Sequence, residues 1–216
     1  KKYYLFTSYD PLMTTYNVRV SRSDAAEGPF TDYFGKAEKD TTNNFPILTA
    51  PYRFENHPGW AGTAHCGVFT DGQGNYFMAH QGRLSPQNQL MVLHVRQLFF
   101  TPDGWPVVSS ERYAGTPPRE FTEADLVGEW EIIRVQEPKY ERQLEAGQIL
   151  WGEGELKDGE WNLSTRVNLA KNGTCAGEMT DDEWKNVQMN GNWSFLTEKQ
   201  LLMIESDKEI IENLIL

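Results

Sequence analysis

The sequence predicts an all-β protein, and three observations carry that reading. Short apolar or alternating runs recur between clusters of Gly, Pro, Asn and Asp, at 3–8, 16–21, 76–80, 90–100, 129–135, 161–169 and 201–204. Helical periodicity is weak and confined to 122–126 and 207–216, and the apolar end of the second stretch reads equally as a strand. A pattern also recurs at a spacing of about 75 residues, the kind of self-similarity that marks propellers and arrays. Tyr3-Tyr4-Leu5-Phe6, then Val18-Arg19-Val20, then Gly28-Pro29-Phe30 is echoed by Tyr76-Phe77-Met78, Leu93-His94-Val95 and Gly104-Trp105-Pro106. Each unit reads as one blade. Propellers use about four to eight blades, so two need others to complete a ring.

The 216 residues suffice for one large domain or two ordinary ones. Seven Trp, nine Tyr and eleven Phe supply broad apolar faces for a packed interior. Twenty basic against 31 acidic residues leave a net charge of −11, the wrong sign for phosphate-backbone binding, so nucleic acid is excluded as a partner. No stretch approaches the roughly 20 apolar residues of a membrane span. Cys66 and Cys175 lack metal-site spacing and read as two separate thiols. The opening Lys1-Lys2-Tyr3-Tyr4-Leu5-Phe6 runs directly into strand-forming residues without signal-peptide zones, as the continuation of a longer chain would.

Along the chain, residues 1–120 hold the two blade units. Thr116-Pro117-Pro118-Arg119-Glu120 marks a boundary, because paired prolines cannot donate to a ladder. Residues 121–216 form a second unit, a small antiparallel barrel or sandwich. Its turns are expected at Asp158-Gly159, Asn172-Gly173 and Asn190-Gly191, and its core is expected to use Trp130, Trp151, Trp161, Trp184 and Trp193. Within 162–169, Leu163, Thr165, Val167 and Leu169 alternate with polar residues, giving one face to a core and the other to water.

Specific segments carry a family resemblance. Gly62-Thr63-Ala64-His65-Cys66-Gly67-Val68-Phe69-Thr70-Asp71, followed by Tyr76-Phe77-Met78-Ala79-His80-Gln81-Gly82-Arg83, resembles the last blade of the five-bladed propellers of glycoside hydrolase family 43. The stretches 93–100 and 103–108 are similar to its arabinanase branch, and Thr15-Tyr16-Asn17-Val18-Arg19-Val20-Ser21-Arg22-Ser23 resembles the preceding blade. Gly128-Glu129-Trp130 and the β-rich tail resemble the C-terminal barrel of longer arabinanases. The resemblance implies the last two blades of a propeller that hydrolyses arabinan or arabino-oligosaccharide by inversion. Inversion uses an acid and a base roughly 6.5–9.5 Å apart. The resemblance places those carboxylates on earlier, N-terminal blades, so no catalytic residue falls in this sequence. It further implies an extracellular or periplasmic location.

The resemblance assigns His65 to an axial position that helps to hold one metal ion, read as calcium. On its own a single histidine is a poor metal signal, since calcium prefers oxygen and transition-metal sites need several protein ligands. Arg83 matches an arginine at the active-site floor, against the plainer reading of a surface ion pair. Thr15, Tyr16 and Asn17 match positions that offer a ring and an amide to sugar, although a strand tyrosine equally serves a core. Glu27 imitates the Glu-Gly-Pro context of the family's acid but stands in the wrong chain order. Asp10-Pro11-Leu12-Met13 and Cys66 depart from the family pattern, leaving cleft shape open. His57, His80 and His94 lack partner spacing and read as structural, and Asp181-Asp182-Glu183 reads as a solvated loop. Two other functions remain in view: a carbohydrate-binding or interaction module using exposed Trp in 121–216, and the same fold acting on xylan or arabinosyl side chains.

Overall fold

The computed structural model describes residues 1–40, 44–87, 89–116, 119–138, 156, 159–207 and 210–215. Strand dominates, in three sheets, and among the described residues helix is limited to short 3-10 turns. Of the expected features, Pro117, Pro118, Trp151 and Asp158 lie outside the described residues.

The first sheet is β1 (Tyr3–Tyr9), β2 (Asn17–Ser23) and β3 (Ile47–Thr49), in that order. The intervening loop is tied at its start, where the Pro11 carbonyl accepts from the Thr14 and Tyr16 amides at 3.2 and 3.0 Å. Alternation does the rest. Val18 and Val20, fully buried, point with Tyr4 and Phe6 to one side.

The second sheet collects β4 (Tyr52–Arg53), β5 (Trp60–Ala61), β6 (Gly67–Thr70), β7 (Tyr76–Leu84), β8 (Met91–Phe100) and β9 (Pro106–Val108). The long β7 pairs with β6 through its first half and with β5 through its second, so the chain must leave the sheet between Ala61 and Gly67. The first two sheets share one core of Val18, Val20, Leu48, Ala64, Met78, Leu98 and Trp105. They are the two expected blades, and the repeat read from sequence corresponds to the β1–β2 and β7–β8 hairpins.

The third sheet is antiparallel. It holds β10 (Gly128–Ile132), β12 (Thr165–Leu169), β13 (Thr174–Thr180), β14 (Asn186–Leu196), β15 (Leu201–Ser206) and β16 (Ile210–Ile215). The two-residue β11 (Asn162–Leu163) pairs in parallel with β4 of the second sheet instead. Ile132, Val167, Leu169, Met179, Met189, Trp193, Leu202 and Ile204 form a separate core. The indole N–H groups of Trp130 and Trp193 donate to the carbonyls of Leu126 and Ala170 at 2.7 and 2.8 Å, which lets polar-tipped rings pack inward. Thr122 and Asp125 cap a 3-10 turn over Glu123–Leu126.

Three local expectations are corrected. The run 161–169 is not one strand: the Ser164 amide donates to the Arg53 carbonyl at 3.0 Å, the chain changes sheets, and the alternation inverts there, with Asn162 buried and Leu163 exposed. Asn190-Gly191 is not a turn but the middle of β14. A Cβ on Gly191 would lie 2.1 Å from the Glu205 carbonyl oxygen, so glycine serves close strand approach here. The connection falls instead at 181–185, where Asp181 Oδ1 accepts from the amides of Glu183 and Lys185, both at 2.9 Å. Of the tryptophans, Trp130 and Trp193 serve the third sheet, whereas Trp161 packs with Ala61 and Leu156, and Trp184 is half-buried in the 181–185 turn.

Candidate functional site

The departure of the chain from the second sheet at residues 62–66 builds the site. Gly62 sits at φ 58°, where an added Cβ would lie 2.7 Å from the Leu12 carbonyl oxygen and 2.9 Å from Arg83 Cδ. No side chain fits there. The Gly62 amide donates to the Thr14 carbonyl at 2.8 Å, and Gln81 donates its amide to the Ala64 carbonyl at 3.0 Å. The His65 amide donates to Ser8 Oγ at 3.1 Å. One short segment thus joins the end of β1, the 10–17 loop and the centre of β7. Thr15, Asn17 and Arg83 converge on this junction.

Arg83 lies opposite Ala61 and is 3 % exposed, so the surface reading fails for it. Burial pulls its guanidinium below the usual arginine value. Thr15 is fully buried, and its carbonyl accepts from Asn17 Nδ2 at 2.9 Å. Asn17 is buried with both amide atoms engaged: Nδ2 also donates to Asp10 Oδ2 at 2.5 Å, and Oδ1 accepts from Arg19 Nε at 2.9 Å. It positions other groups. Tyr16 is half-buried and packs against the shared blade core.

Arg19 was not singled out from sequence, yet it organises this corner. Its guanidinium is 4.5 Å from the Tyr9 ring centroid, 3.2 Å from Glu137 Oε1 and 3.9 Å from Asp10 Oδ2. Burial, chiefly, raises the Asp10 carboxyl, with Glu137 adding to the rise while Arg19 and Asn17 pull the other way. An arginine between Val18 and Val20 was the available signal. Its partner Glu137, 118 positions away, left none.

His65 is exposed at φ 60°, beside a hollow of about 380 Å³ lined also by Cys66, Gln81, Val92 and Leu93. Its ring is open to an ion. Among the described residues no group of three or more His, Cys, Asp or Glu could hold a metal ion. Burial raises the Cys66 thiol, which disfavours the thiolate form that a nucleophile needs. Glu27 is exposed.

His80 and His94, opposite one another on β7 and β8, form a second buried polar cluster. Arg96 Nε donates to His80 Nε2 at 2.9 Å, which places the His80 proton on Nδ1, 2.6 Å from the Gln81 carbonyl oxygen. Arg96 also donates to Tyr52 Oη at 2.8 Å, and that hydroxyl donates to Glu111 Oε1 at 3.1 Å. Burial and the Arg96 charge push both imidazoles down to about 3, and burial pushes Tyr52 up to about 12. His80, Arg96 and Tyr52 thus link β7, β8 and β4, whereas both ring nitrogens of His94 are buried without a hydrogen-bond partner.

Fold and site together define a β-propeller arc with an appended antiparallel, lipocalin-like domain. Residues 110–216 match the family model described as the C-terminal lipocalin-like domain of glycoside hydrolase family 43. The extracellular endo-α-(1→5)-L-arabinanase 2 of Bacillus subtilis is 26 % identical over 208 residues, covering 87 % of this chain and 40 % of that protein. The corresponding enzyme of Thermotoga petrophila is 29 % identical over 148 residues, covering 61 % of this chain and 31 % of that protein. The crystal structure of an endo-1,5-α-L-arabinanase from Thermotoga petrophila superposes with a TM-score of 0.73 at 23 % identity, over 98 % of this chain and 43 % of that one. The family 43 protein YxiA of Bacillus licheniformis also gives 0.73, at 23 % identity, over 97 % and 44 %. Residues 110–216 thus match the C-terminal domain of that family, and the chain as a whole shares the fold of the corresponding part of these relatives. It spans less than half the length of each of these relatives. No helix among the described residues is long and apolar enough to cross a membrane.

Proposed function

We propose that this chain supplies the last two blades and the accessory domain of an extracellular hydrolase that cleaves α-1,5-linked arabinan with inversion. The general acid and base come from blades outside these 216 residues. The chain contributes the floor: Arg83 as a forked donor to sugar hydroxyls or a catalytic carboxylate, Thr15 and Tyr16 lining the cleft, and Asn17 orienting Arg19 and Asp10. His65 would help to hold an axial metal, calcium by family resemblance.

The observation that carries this reading is the uncovered apolar face of the second blade. Phe69 on β6 and Met91 and Leu93 on β8, which the register places on one face, are 46, 63 and 71 % exposed. Exposed apolar side chains on one sheet face favour an interface, and a further blade is the partner that a ring supplies. A glycan module working through exposed tryptophans is disfavoured, since Trp130, Trp161 and Trp193 are packed into cores.

The complete propeller containing this chain is expected to hydrolyse linear α-1,5-arabinan, with NMR showing inverted anomeric configuration in the first product. Retained configuration, or cleavage of xylan or arabinosyl branches alone, overturns the assignment. Arg83→Lys is expected to lower kcat/KM by about tenfold or more, because a point charge cannot replace the fork.

A further inference from the structure

The outward face of the first blade gathers buried oxygens. β1 and β2 pair with Leu5 opposite Ser21 and Thr7 opposite Arg19, so Thr7, Arg19 and Ser21 share the face turned away from Phe6, Val18 and Val20. Two later segments close over them. Arg22 and Thr31 exchange backbone hydrogen bonds, both 2.9 Å, which brings Asp32 alongside Ser21. The Tyr33 amide donates to the Phe45 carbonyl at 2.7 Å, which sets the 44–45 stretch against the 32–33 stretch, and Asn44 Nδ2 donates to Tyr9 Oη at 2.9 Å on the same face. Ser21, Asp32 and Asn44 are 1, 2 and 0 % exposed.

Four buried oxygens in this cluster have no hydrogen-bond partner within the protein: Thr7 Oγ1, Ser21 Oγ, Asp32 Oδ2 and Asn44 Oδ1. Two of them belong to groups whose other end is anchored. Asp32 Oδ1 accepts from the amides of Phe34 and Lys36 at 3.0 and 2.8 Å, and the Asn44 amide nitrogen is held by Tyr9. A buried carboxylate oxygen without a partner is costly, and so is a buried amide carbonyl. The cation on this face, Arg19, is directed to Asn17, Glu137 and Asp10.

A carboxylate, an amide carbonyl and two hydroxyls make an all-oxygen donor set with one negative charge. That chemistry suits a hard cation and lacks the nitrogen or sulfur that zinc selects. Water could bond these atoms, and a cation would in addition offset the Asp32 charge. We infer that Thr7, Ser21, Asp32 and Asn44 form a calcium site, completed by water, that pins the 31–37 hairpin and the 44–46 segment onto the β1–β2 hairpin. The site does not involve His65 and does not depend on the hydrolase reading.

Terbium tests it, because Tyr9 and Tyr33 can sensitise a lanthanide bound among these oxygens. EGTA-stripped protein titrated with TbCl₃ and excited in the tyrosine band is expected to give saturable emission that CaCl₂ displaces. Asp32→Asn keeps the Oδ1 acceptor of the turn and is expected to weaken Tb³⁺ and Ca²⁺ by about tenfold or more, through loss of ligand charge. Ser21→Ala and Thr7→Val are expected to weaken binding by a few fold, and they stand as the test should Asp32→Asn fail to fold. His65→Ala is expected to leave this emission unchanged, which separates it from an axial ion. Unaltered Tb³⁺ affinity in the Asp32 and Ser21 variants, or no saturable binding by the wild type, as ordered water alone would produce, overturns the inference.

Discussion

Gly82→Ala converts the His80–His94 cluster into a quantitative test of packing. A Cβ at Gly82 would lie 2.5 Å from His94 Nε2, 2.8 Å from Cε1 and 2.9 Å from Cδ2, about 1 Å inside ordinary contact. The ring has little room to retreat, since Trp60 meets it edge-on at 4.4 Å and His80 lies 5.0 Å away between centroids. Overpacking of this kind costs about 1–3 kcal/mol. For a chain of this size that lowers Tm by about 2–12 °C, at about 2–4 °C per kcal/mol. The assay is thermal and urea unfolding followed by tryptophan fluorescence, run as a double-mutant cycle with His94→Ala. Once the imidazole is gone, the same glycine-to-alanine change removes only unfolded-state entropy and is expected to stabilise by about 0.4–1 kcal/mol. Its sign should therefore reverse between the two backgrounds. An equal effect of Gly82→Ala with and without His94 would refute the claim that this ring sets the space.

Acid stability should depend on the same pair. His80 and His94 hold pKa values of about 3 in the folded chain against an ordinary 6.5, so between those limits the unfolded chain binds more protons. Their contribution is complete above pH 6.5 and is lost as pH falls toward 3. His94→Ala is expected to flatten the decline between pH 6 and 4, read from urea midpoints at each pH; an unchanged slope contradicts it. Where the third sheet meets the second blade, Asn162 donates through Nδ2 to the Pro51 carbonyl at 2.9 Å and accepts the Gln136 amide at 2.7 Å, at 3 % exposure. Asn162→Ala is expected to cost about 1–3 kcal/mol by stranding both partners. The exposed Arg166–Glu55 pair nearby should matter little, and Glu55→Gln is expected to cost under about 1 kcal/mol in the same unfolding assay. Comparable losses for the two variants would reverse that ranking.

The all-β class, the β1–β2 and β7–β8 hairpins and the inward alternation of Thr165, Val167 and Leu169 were legible in the sequence, because period-two patterning and repeated blade motifs are local. The Gly62–His65 segment and Arg83 were found through family motifs, and the structure brings them to one junction with Thr15 and Asn17. Other features were decided only by tertiary structure. Gly191 serves a strand crossing instead of a turn, since glycine answers both needs and only the neighbour at Glu205 tells which applies. Ser164 ends one strand and begins another because the Arg53 carbonyl claims its amide. Arg19 meets Glu137, and Asp32 meets Ser21 and the 44–45 stretch, through pairings between segments distant in the chain. Side-chain periodicity records which face of a strand is apolar; which distant groups arrive on the other face depends on how the sheets stack, and that is a property of the assembled chain.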